Sequence, residues 1–551
     1  MSTTQVPVLI VGGGIVGLSA SLFLSSHGVK SQLVERHTGT SIHPRARGLN
    51  RRTMELYRGL GIDKEVRAAG AALAPSEGIY QGHSLVEVIE RHPRKERTGP
   101  PRMLGAAYFS YLGPVEGTRG TQDMIEPVLL SAARDRGGDV IFNTECISIE
   151  QDPDGVVATI RDRTTKLQST IHAAYLIAAD GAGSSIRQNL GVQTTGVGRL
   201  GALLSILFHA DLSELVRGRE FSLCLVNQPT VRGLFTSINN HDRWVFHLSY
   251  DATTEEPGDF SAERCEGLLK LALGLSDVAI DIKSIMPWEP TVRVAEQFQH
   301  GRVFLAGDAA HQMPPWGGQG ATTGIADVHN LAWKIAAVLS GQGRPALLKT
   351  YDSERLPIGR LVSDESGVAS DAHGLFSMPT SIPSVMALIR RIPRLSGYGY
   401  VYASEAIISE DTTPLLWKIV RLLPTLSQIL GIGGSAGSRV PHIWVKHKGQ
   451  RISTLDLFTR KFTILAGAEG NEWCYVAPNV ASSLNIEIIA HRVGSEQEIA
   501  APDGRWESAA GISSTGAILV RPDGFVAWRS WGTPLNIQDK LEEVLTKVLC
   551  R

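Results

Sequence analysis

The stretch VPVLIVGGGIVGLSA, residues 6–20, constrains the fold more than any other part of this 551-residue chain. An apolar run typical of a buried parallel strand leads into Gly12, Gly14 and Gly17, and apolar residues at helical spacing follow. The first glycine permits a tight turn, the second lets a pyrophosphate approach the backbone, and the third lets helix and strand pack closely. The next strand ends at Glu35, where an acid accepts hydrogen bonds from ribose hydroxyls. This unit predicts a dinucleotide site; the alternative is a glycine-rich turn that binds no ligand.

A second segment, RVFLAGDAAHQMPPWGGQG at 302–320, discriminates between dinucleotides. Asp308 follows an apolar strand, so its carboxylate is expected in the crevice where α/β sheets bind ligands. FAD has a ribitol chain that suits such an acid, whereas NADP, which Arg36 would allow through a 2′-phosphate contact, needs no such segment. The helix predicted from about Ala321 directs free N–H groups toward the turn, where they would stabilise an anionic reduced flavin. These features favour FAD; a helix start with a Pro-rich loop is the alternative.

A third motif, DGAGSSIR, brings Asp180, Ser184 and Arg187 to the end of another apolar strand, and by itself it reads as a capped turn. With YDSERLP at 351–357, the three motifs occur in the order found in the single-component FAD-dependent aromatic hydroxylases, the para-hydroxybenzoate hydroxylase fold group. The chain resembles most the phenol hydroxylase and polyketide-tailoring branch, which carries a C-terminal thioredoxin-like domain.

This resemblance implies a set of cofactor contacts spread along the chain. They are Gly12, Gly14, Gly17 and Glu35 at the adenosine half with Arg36 beside them, Arg45 and Gln122 near the flavin, Asp180 and Arg187 for FAD and NAD(P)H together, Asp308 at the ribitol, and Pro314, Gly317, Gly318, Gly320, Ala321 and Thr322 around the flavin ring. Many relatives have Met or Leu and then Asn where this chain has Ala321 and Thr322, so only backbone contacts carry over at those two positions.

The resemblance also implies the chemistry. NAD(P)H, with NADPH favoured, reduces FAD; O₂ adds at the flavin C4a carbon, and the resulting hydroperoxide hydroxylates a phenolic or polycyclic aromatic substrate, such as a polyketide. Baeyer–Villiger oxygen insertion on the same scaffold is the main alternative. A nicotinamide-only dehydrogenase and a non-catalytic flavin-fold binding protein are further alternatives.

The predicted fold class is α/β, with a Rossmann-like FAD-binding domain, an inserted β-sheet substrate domain and a C-terminal thioredoxin-like domain. The predicted boundaries are 1–190 and 291–375 for the FAD-binding domain, 191–290 for the substrate sheet, 376–440 for a helical linker region and 441–551 for the last domain.

The catalytic group of the substrate domain is not identified by the sequence. In RWVFHLSY, residues 243–250, alternation puts Trp244, Phe246, Leu248 and Tyr250 on one face and Val245, His247 and Ser249 on the other. His247, Tyr250 and Trp288 are pocket candidates, and an ordinary core or surface role is the alternative for each.

Composition excludes several classes of protein. A formal net charge of −1 gives no field that would gather nucleic acid, and RHPRKER at 91–97 is predicted to be a solvated loop. No run of about 20 uncharged apolar residues predicts a transmembrane helix, and the amphipathic segment 414–434 is expected to pack on the protein body. VPVLIVGGG is interrupted too early by glycine to predict a secretion signal.

The cysteines indicate a reducing compartment. All five lie far apart without a CxxC pair, so we expect free thiols, no metal site and a cytoplasmic location. Cys474 in the last domain has no partner two residues later, so a structural or homodimer-contact role is expected for that domain rather than disulfide exchange. The expected partners are a small aromatic substrate and O₂.

Overall fold

The computed structural model describes residues 3–71, 73, 78–93, 112–315, 318–371, 373–377, 397–410, 434–458 and 460–551. Gly317, most of the basic run 91–97 and most of the amphipathic segment 414–434 lie outside the described residues. Within these ranges, no helix has both the length and the apolar character needed to cross a membrane.

Strands and helices are numbered in chain order within the described ranges. The strands are β1 (Thr3–Val11), β2 (Ser31–Val34), β3 (Gly48–Leu49), β4 (Ile79–Gly82), β5 (Thr118–Arg119), β6 (Asp139–Ile141), β7 (Thr144–Gln151), β8 (Val156–Asp162), β9 (Gln168–Ala178), β10 (Thr194–Arg199), β11 (Ala202–His209), β12 (Leu223–Asn227), β13 (Arg232–Ser237), β14 (Arg243–Tyr250), β15 (Asp281–Trp288), β16 (Thr291–Ala295), β17 (Gln299–His300), β18 (Val303–Leu305), β19 (His311–Gln312), β20 (Trp444–His447), β21 (Gln450–Ser453), β22 (Phe462–Ala466), β23 (Ile488–Gly494), β24 (Ile499–Ala500), β25 (Ala517–Val520) and β26 (Val526–Ser530). The helices are α1 (Ile15–Ser26), α2 (Arg51–Gly59), α3 (Asp63–Ala69), α4 (Leu85–Arg91), α5 (Gln122–Asp135), α6 (Ser185–Asn189), α7 (Ser213–Val216), α8 (Ala262–Leu273), α9 (Gln319–Leu339), α10 (Ala346–Val368), α11 (Asn471–Leu484), α12 (Arg505–Ala510) and α13 (Ile537–Val548).

The largest sheet is centred on β1. Its order is β17-β18-β9-β1-β2-β6, parallel from β18 to β6, with the β7–β8 hairpin attached to β9. Val8, Leu9 and Ile10 are completely buried, as expected for a parallel strand that is covered on both faces. Parallel pairing places the carboxyl ends of β18, β9, β1 and β2 along one edge, where the three sequence motifs begin.

The second sheet has the order β15-β11-β14-β13-β12-β4. Its two faces differ as the RWVFHLSY alternation predicts: Trp244 and Phe246 lie in an apolar core with residues of α4 and α8, whereas Val245 belongs to the cluster that contacts Met124 of α5. We call the Val245 side the inner face. The edge strand β4 pairs with β12, although it comes from the range 1–190 that the sequence assigns to the FAD-binding domain. The sequence does not predict this pairing, because the short run IYQG has too little periodicity to indicate a partner strand.

The last sheet follows the order β21-β20-β24-β23-β22-β25-β26. The parallel β22-α11-β23 unit, followed by antiparallel β25 and β26 and by α13, is the thioredoxin-like arrangement expected from the sequence. Its core is continuous with Trp333 of α9 and Leu347 of α10, and the Trp333 ring meets Phe462 edge-on with centroids 6.1 Å apart. The C-terminal domain therefore packs directly on the helix that begins at the candidate site.

Candidate active site at the carboxyl ends of the parallel strands

The glycines of the first motif are required by close contacts between backbone segments. Gly12 has φ +109°, and a Cβ there would lie 2.2 Å from the Ala179 carbonyl oxygen; at Gly17 it would lie 1.9 Å from the Gly12 carbonyl oxygen. At Gly14 the nearest protein atom would be 3.6 Å away. The first and third glycines thus pack turn, helix and strand together, whereas at the second a Cβ would make only ordinary van der Waals contacts with Glu126 and Gln122.

Glu35 is fixed beside this loop. Its Oε2 accepts a 2.5 Å hydrogen bond from the Gly13 N–H, and its Oε1 accepts a 2.8 Å bond from the His37 N–H. The carboxylate is therefore held where a ribose would meet it. The neighbouring Arg36 side chain is exposed, and its carbonyl oxygen accepts a hydrogen bond from Arg163.

The DGxxSxxR motif supports the loops around it. Burial raises the pKa of the Asp180 carboxyl, and its Oδ1 has no hydrogen-bond partner among the described residues. Arg187 donates 2.8 Å hydrogen bonds to the carbonyl oxygens of Ala309 and Ala182. Arg187 thus connects this motif to the Asp308 segment, and a direct contact of its guanidinium with a cofactor stays a prediction.

Asp308 lies directly after β18 and is exposed, although protein atoms surround it. Burial within its surroundings raises the pKa of the carboxyl, and the charges of His311 and Arg45 oppose that rise. A group that is both accessible and surrounded lies in a cleft, which is where a ligand hydroxyl would reach it.

The start of α9 faces Asp308. Gly318 caps the helix with φ +67°, and a Cβ on Gly320 would lie 3.7 Å from Asp308 Oδ1. Ala321 follows in the first turn. The Thr322 hydroxyl donates to the Gln319 carbonyl oxygen at 3.1 Å, so this side chain is engaged within its own helix, while Pro314 is buried before the helix begins. The backbone N–H groups that open the helix therefore point to the same cleft.

Arg45 and Gln122 bring a fourth segment to the cleft. The Arg45 side chain is exposed, and its carbonyl oxygen accepts a 2.8 Å hydrogen bond from the Gln122 N–H. Gln122 Nε2 donates to Glu126 Oε1 at 2.6 Å. Sequence reasoning missed Glu126, which is buried, has its pKa raised by that burial, and accepts hydrogen bonds from the N–H groups of Ser41 and Ile15. The four-residue spacing from Gln122 on one helix was the available signal.

These groups fit FAD on observations of the protein alone. The space at Gly14 and the N-terminus of α1 suit a pyrophosphate. The buried Asp180 Oδ1 has no donor among the described residues, and the accessible Asp308 carboxylate can accept hydrogen bonds from hydroxyl groups of a polyol. The set is extended rather than compact, as a flavin dinucleotide requires.

Comparison with known proteins decides the family. The FAD binding domain family matches residues 5–366, and the aromatic-ring hydroxylase C-terminal family matches residues 434–551. The chain belongs to the FAD-dependent aromatic-ring hydroxylases.

The hydroxylase is similar to named relatives over its whole length. It is 38% identical to the Tetracenomycin A2 monooxygenase-dioxygenase of Streptomyces glaucescens, covering 100% of this chain and 98% of the relative. It is 35% identical to the 4-methyl-5-nitrocatechol 5-monooxygenase of Burkholderia sp, covering 99% of this chain and 98% of the relative. A ternary complex of aklavinone-11 hydroxylase with FAD and aklavinone matches it with TM-score 0.84 and 34% identity over 100% of both chains. These similarities confirm an FAD-dependent monooxygenase.

The inner face of the hydroxylase's second sheet carries a hydrogen-bonded polar pair. His247 Nδ1 and Ser205 Oγ are 2.9 Å apart across the pairing of β11 and β14. Burial lowers the pKa of His247 to about 4, and the charge of His43 contributes. His43, in the Arg45 segment, is buried, and neither of its ring nitrogens has a hydrogen-bond partner among the described residues. The inner face adjoins the first turn of α5, because its apolar cluster contacts Met124, and Gln122 of the same turn is hydrogen-bonded to the Arg45 segment.

The three pocket candidates from the sequence are brought together only in part. The Trp288 ring lies edge-on to His247 with centroids 5.8 Å apart. Tyr250 packs instead on Phe260 in the outer core, with centroids 5.4 Å apart. Tyr250 and Trp288 do share a separate cleft of about 390 Å³.

Replacing Gly14 by Ala tests the cofactor assignment of the loop. The added Cβ meets no protein atom closer than 3.6 Å, so the fold should persist, whereas FAD should bind about 10-fold or more weakly because the methyl group occupies the space for its pyrophosphate. Fluorescence titration with FAD and circular dichroism measure the two effects. In the matched variant Gly12→Ala, the 2.2 Å clash should disrupt folding itself. Normal FAD affinity in Gly14→Ala would contradict the assignment.

Proposed function

We propose that this protein consumes NAD(P)H and O₂ to add one oxygen atom to a phenolic or polycyclic aromatic ring, with a polyketide as its substrate. The observation that carries the proposal is the hydrogen-bonded pair His247 and Ser205, which the inner sheet face carries together with the buried apolar side chains of Leu207, Val245 and Ile238. The names of the relatives support it, since tetracenomycin and aklavinone appear among them.

When bound, FAD would accept electrons from NAD(P)H and would then activate O₂. The chain's own residues position the partners and exclude water. Asp308 accepts hydrogen bonds from the ribitol, and the N-terminus of α9 faces the flavin ring. Leu207, Val245 and Ile238 on the inner face are buried apolar side chains that keep the substrate side dry.

We assign His247 to the substrate hydroxyl. In the tautomer whose Nδ1–H donates to Ser205 Oγ, Nε2 is left as an acceptor, and no described residue is hydrogen-bonded to it. A pKa of about 4 keeps the imidazole neutral at pH 7. A phenol titrates near 10, so full proton transfer would be uphill by roughly 8 kcal/mol at 1.36 kcal/mol per pKa unit. His247 therefore polarises and orients the phenol through a hydrogen bond, which makes the ring more nucleophilic.

Two further assignments concern location and assembly. All five cysteines are free, which supports a cytoplasmic location. The homodimer suggested by the C-terminal domain stays a prediction.

A screen of NAD(P)H consumption tests the proposed reaction. The purified protein is supplied with FAD and with phenols, naphthoquinones and anthraquinones, and the products are identified by mass spectrometry. We expect faster NAD(P)H oxidation with a polycyclic phenol and a product heavier by one oxygen atom on an intact ring. A product in which a ring has expanded to a lactone would show Baeyer–Villiger insertion instead of hydroxylation. If none of the aromatic compounds accelerated NAD(P)H oxidation, the proposal would be contradicted.

His247→Ala should lower kcat/KM by about 10-fold, because one oriented hydrogen bond to the substrate is lost. FAD affinity should stay unchanged, since His247 lies on the sheet and not in the cofactor loops. Steady-state kinetics and FAD titration separate the two. Tyr250→Phe is the matched control on the opposite face of the same strand and should change kcat/KM less than about 2-fold. Equal effects of the two variants on kcat/KM would contradict a contact between His247 and the substrate.

The lowered pKa of His247 predicts the sign of a pH effect on stability. The unfolded chain binds a proton below pH 6.5, whereas the folded chain does so only near pH 4, so stability is complete above 6.5 and falls as the pH drops toward 4. His247→Gln should lose this part of the pH dependence in thermal unfolding. An unchanged dependence would show that the imidazole is not buried as described.

A further inference from the structure

A buried ion pair joins the C-terminal domain to α10. Arg521, in the turn between β25 and β26, is completely buried and donates to both carboxylate oxygens of Glu354, at 2.6 and 2.9 Å. It also bonds to Asp523 in its own turn. Lys334 of α9 donates to the same carboxylate at 2.9 Å. Glu354 is thus held by one cation from each side of the domain interface.

The next residue on α10 continues the connection. Arg355 is completely buried; its Nε donates to Asp327 Oδ1 at 2.8 Å, and its Nη2 donates to the Thr323 carbonyl oxygen at 3.2 Å. Its Nη1 donates to the Tyr402 hydroxyl at 3.0 Å. Glu354 and Arg355 are consecutive residues of α10, and the guanidinium groups of Arg355 and Arg521 lie over the same Tyr402 ring, 5.9 and 5.7 Å from its centroid. The two ion pairs therefore share one turn of helix and one neighbouring side chain.

Asp327 carries the connection to the cofactor segment. Its Oδ2 accepts hydrogen bonds from the Gly307 N–H at 3.1 Å and from His311 Nε2 at 2.7 Å. Gly307 directly precedes Asp308 and has φ +60°, and a Cβ on Gly324 of α9 would lie 2.9 Å from the Gly307 Cα. The residues on both sides of Asp308 are therefore held by one buried carboxylate.

We propose that the C-terminal domain positions Asp308 for FAD through a series of buried ion pairs and hydrogen bonds that runs from Arg521 through Glu354 and Arg355 to Asp327. A buried charge is tolerated only while each partner is in place, so loss of one link forces its neighbours to rearrange. These four residues act through Asp308 and are positioning residues. The proposal concerns FAD binding, so it holds whichever aromatic compound is the substrate, and its test does not depend on turnover.

The test compares FAD dissociation constants measured by fluorescence titration of the full-length protein. Arg521→Gln should raise the FAD Kd by about 10-fold, and Arg521→Lys, which keeps the charge, should restore part of the affinity. The matched control is Arg58→Gln, which removes another ion pair with the C-terminal domain, the 2.8 and 2.9 Å contacts to Asp456, and leads to none of these residues. A similar Kd change in the control would overturn the proposal, because general loosening of the domain would then explain the effect.

A second comparison shows whether Arg521 acts through Asp308. In an Asp308→Asn background, Arg521→Gln should change the FAD Kd by less than about 2-fold, since the group that it positions is gone. Equal fold-changes in both backgrounds would overturn the proposal.

Hydrogen exchange measured at saturating FAD supplies the reciprocal reading. FAD should slow amide exchange at residues 521–526 of the wild-type protein and should not do so in Asp327→Asn. Failure of FAD to protect this turn in the wild-type protein would contradict the coupling.

Discussion

The structure depends on the close approach of backbone segments where the parallel strands end. The position of a Cβ on Gly12 is filled by the Ala179 carbonyl, and that of a Cβ on Gly17 by the Gly12 carbonyl. Because these contacts leave no room for side chains, the end of β1, the start of α1 and the end of β9 form one rigid unit. The loops that begin there are aimed at a shared cleft.

Polar groups at this edge are distributed unequally. Glu35, Gln122 and Arg187 are engaged by neighbouring protein groups, whereas Asp180 Oδ1 has no partner in the part of the chain that the structure describes and Asp308 is accessible. The protein thus fixes its framework with satisfied hydrogen bonds and leaves two acids with capacity for a ligand. Hydrogen bonds donated by ligand hydroxyl groups stabilise the charged form of a carboxylate whose pKa is raised by burial. Binding of the cofactor therefore stabilises the folded cleft as well.

Local sequence patterns predicted the parallel edge well. The glycine spacing, the acids after apolar runs and the two faces of β14 all follow from periodicity, and the same alternation separates His247 from Tyr250. Long-range pairings had no such signal. β4 joins β12 across 140 residues of chain, and Trp288 reaches His247 only through the register of β15 on β11. The ion pair of Arg521 with Glu354 joins residues 167 positions apart, and no local pattern distinguishes either from a surface charge.

The central claim is that segments distant in sequence converge on one FAD, with Asp308 at its ribitol arm. Titration of the purified apoprotein with FAD, followed by visible absorbance and flavin fluorescence, tests it most directly. We expect saturation at one FAD per chain and, for the isosteric Asp308→Asn protein, binding weaker by about 10-fold. Absence of FAD uptake by the folded protein, or identical binding by the two proteins, would contradict it.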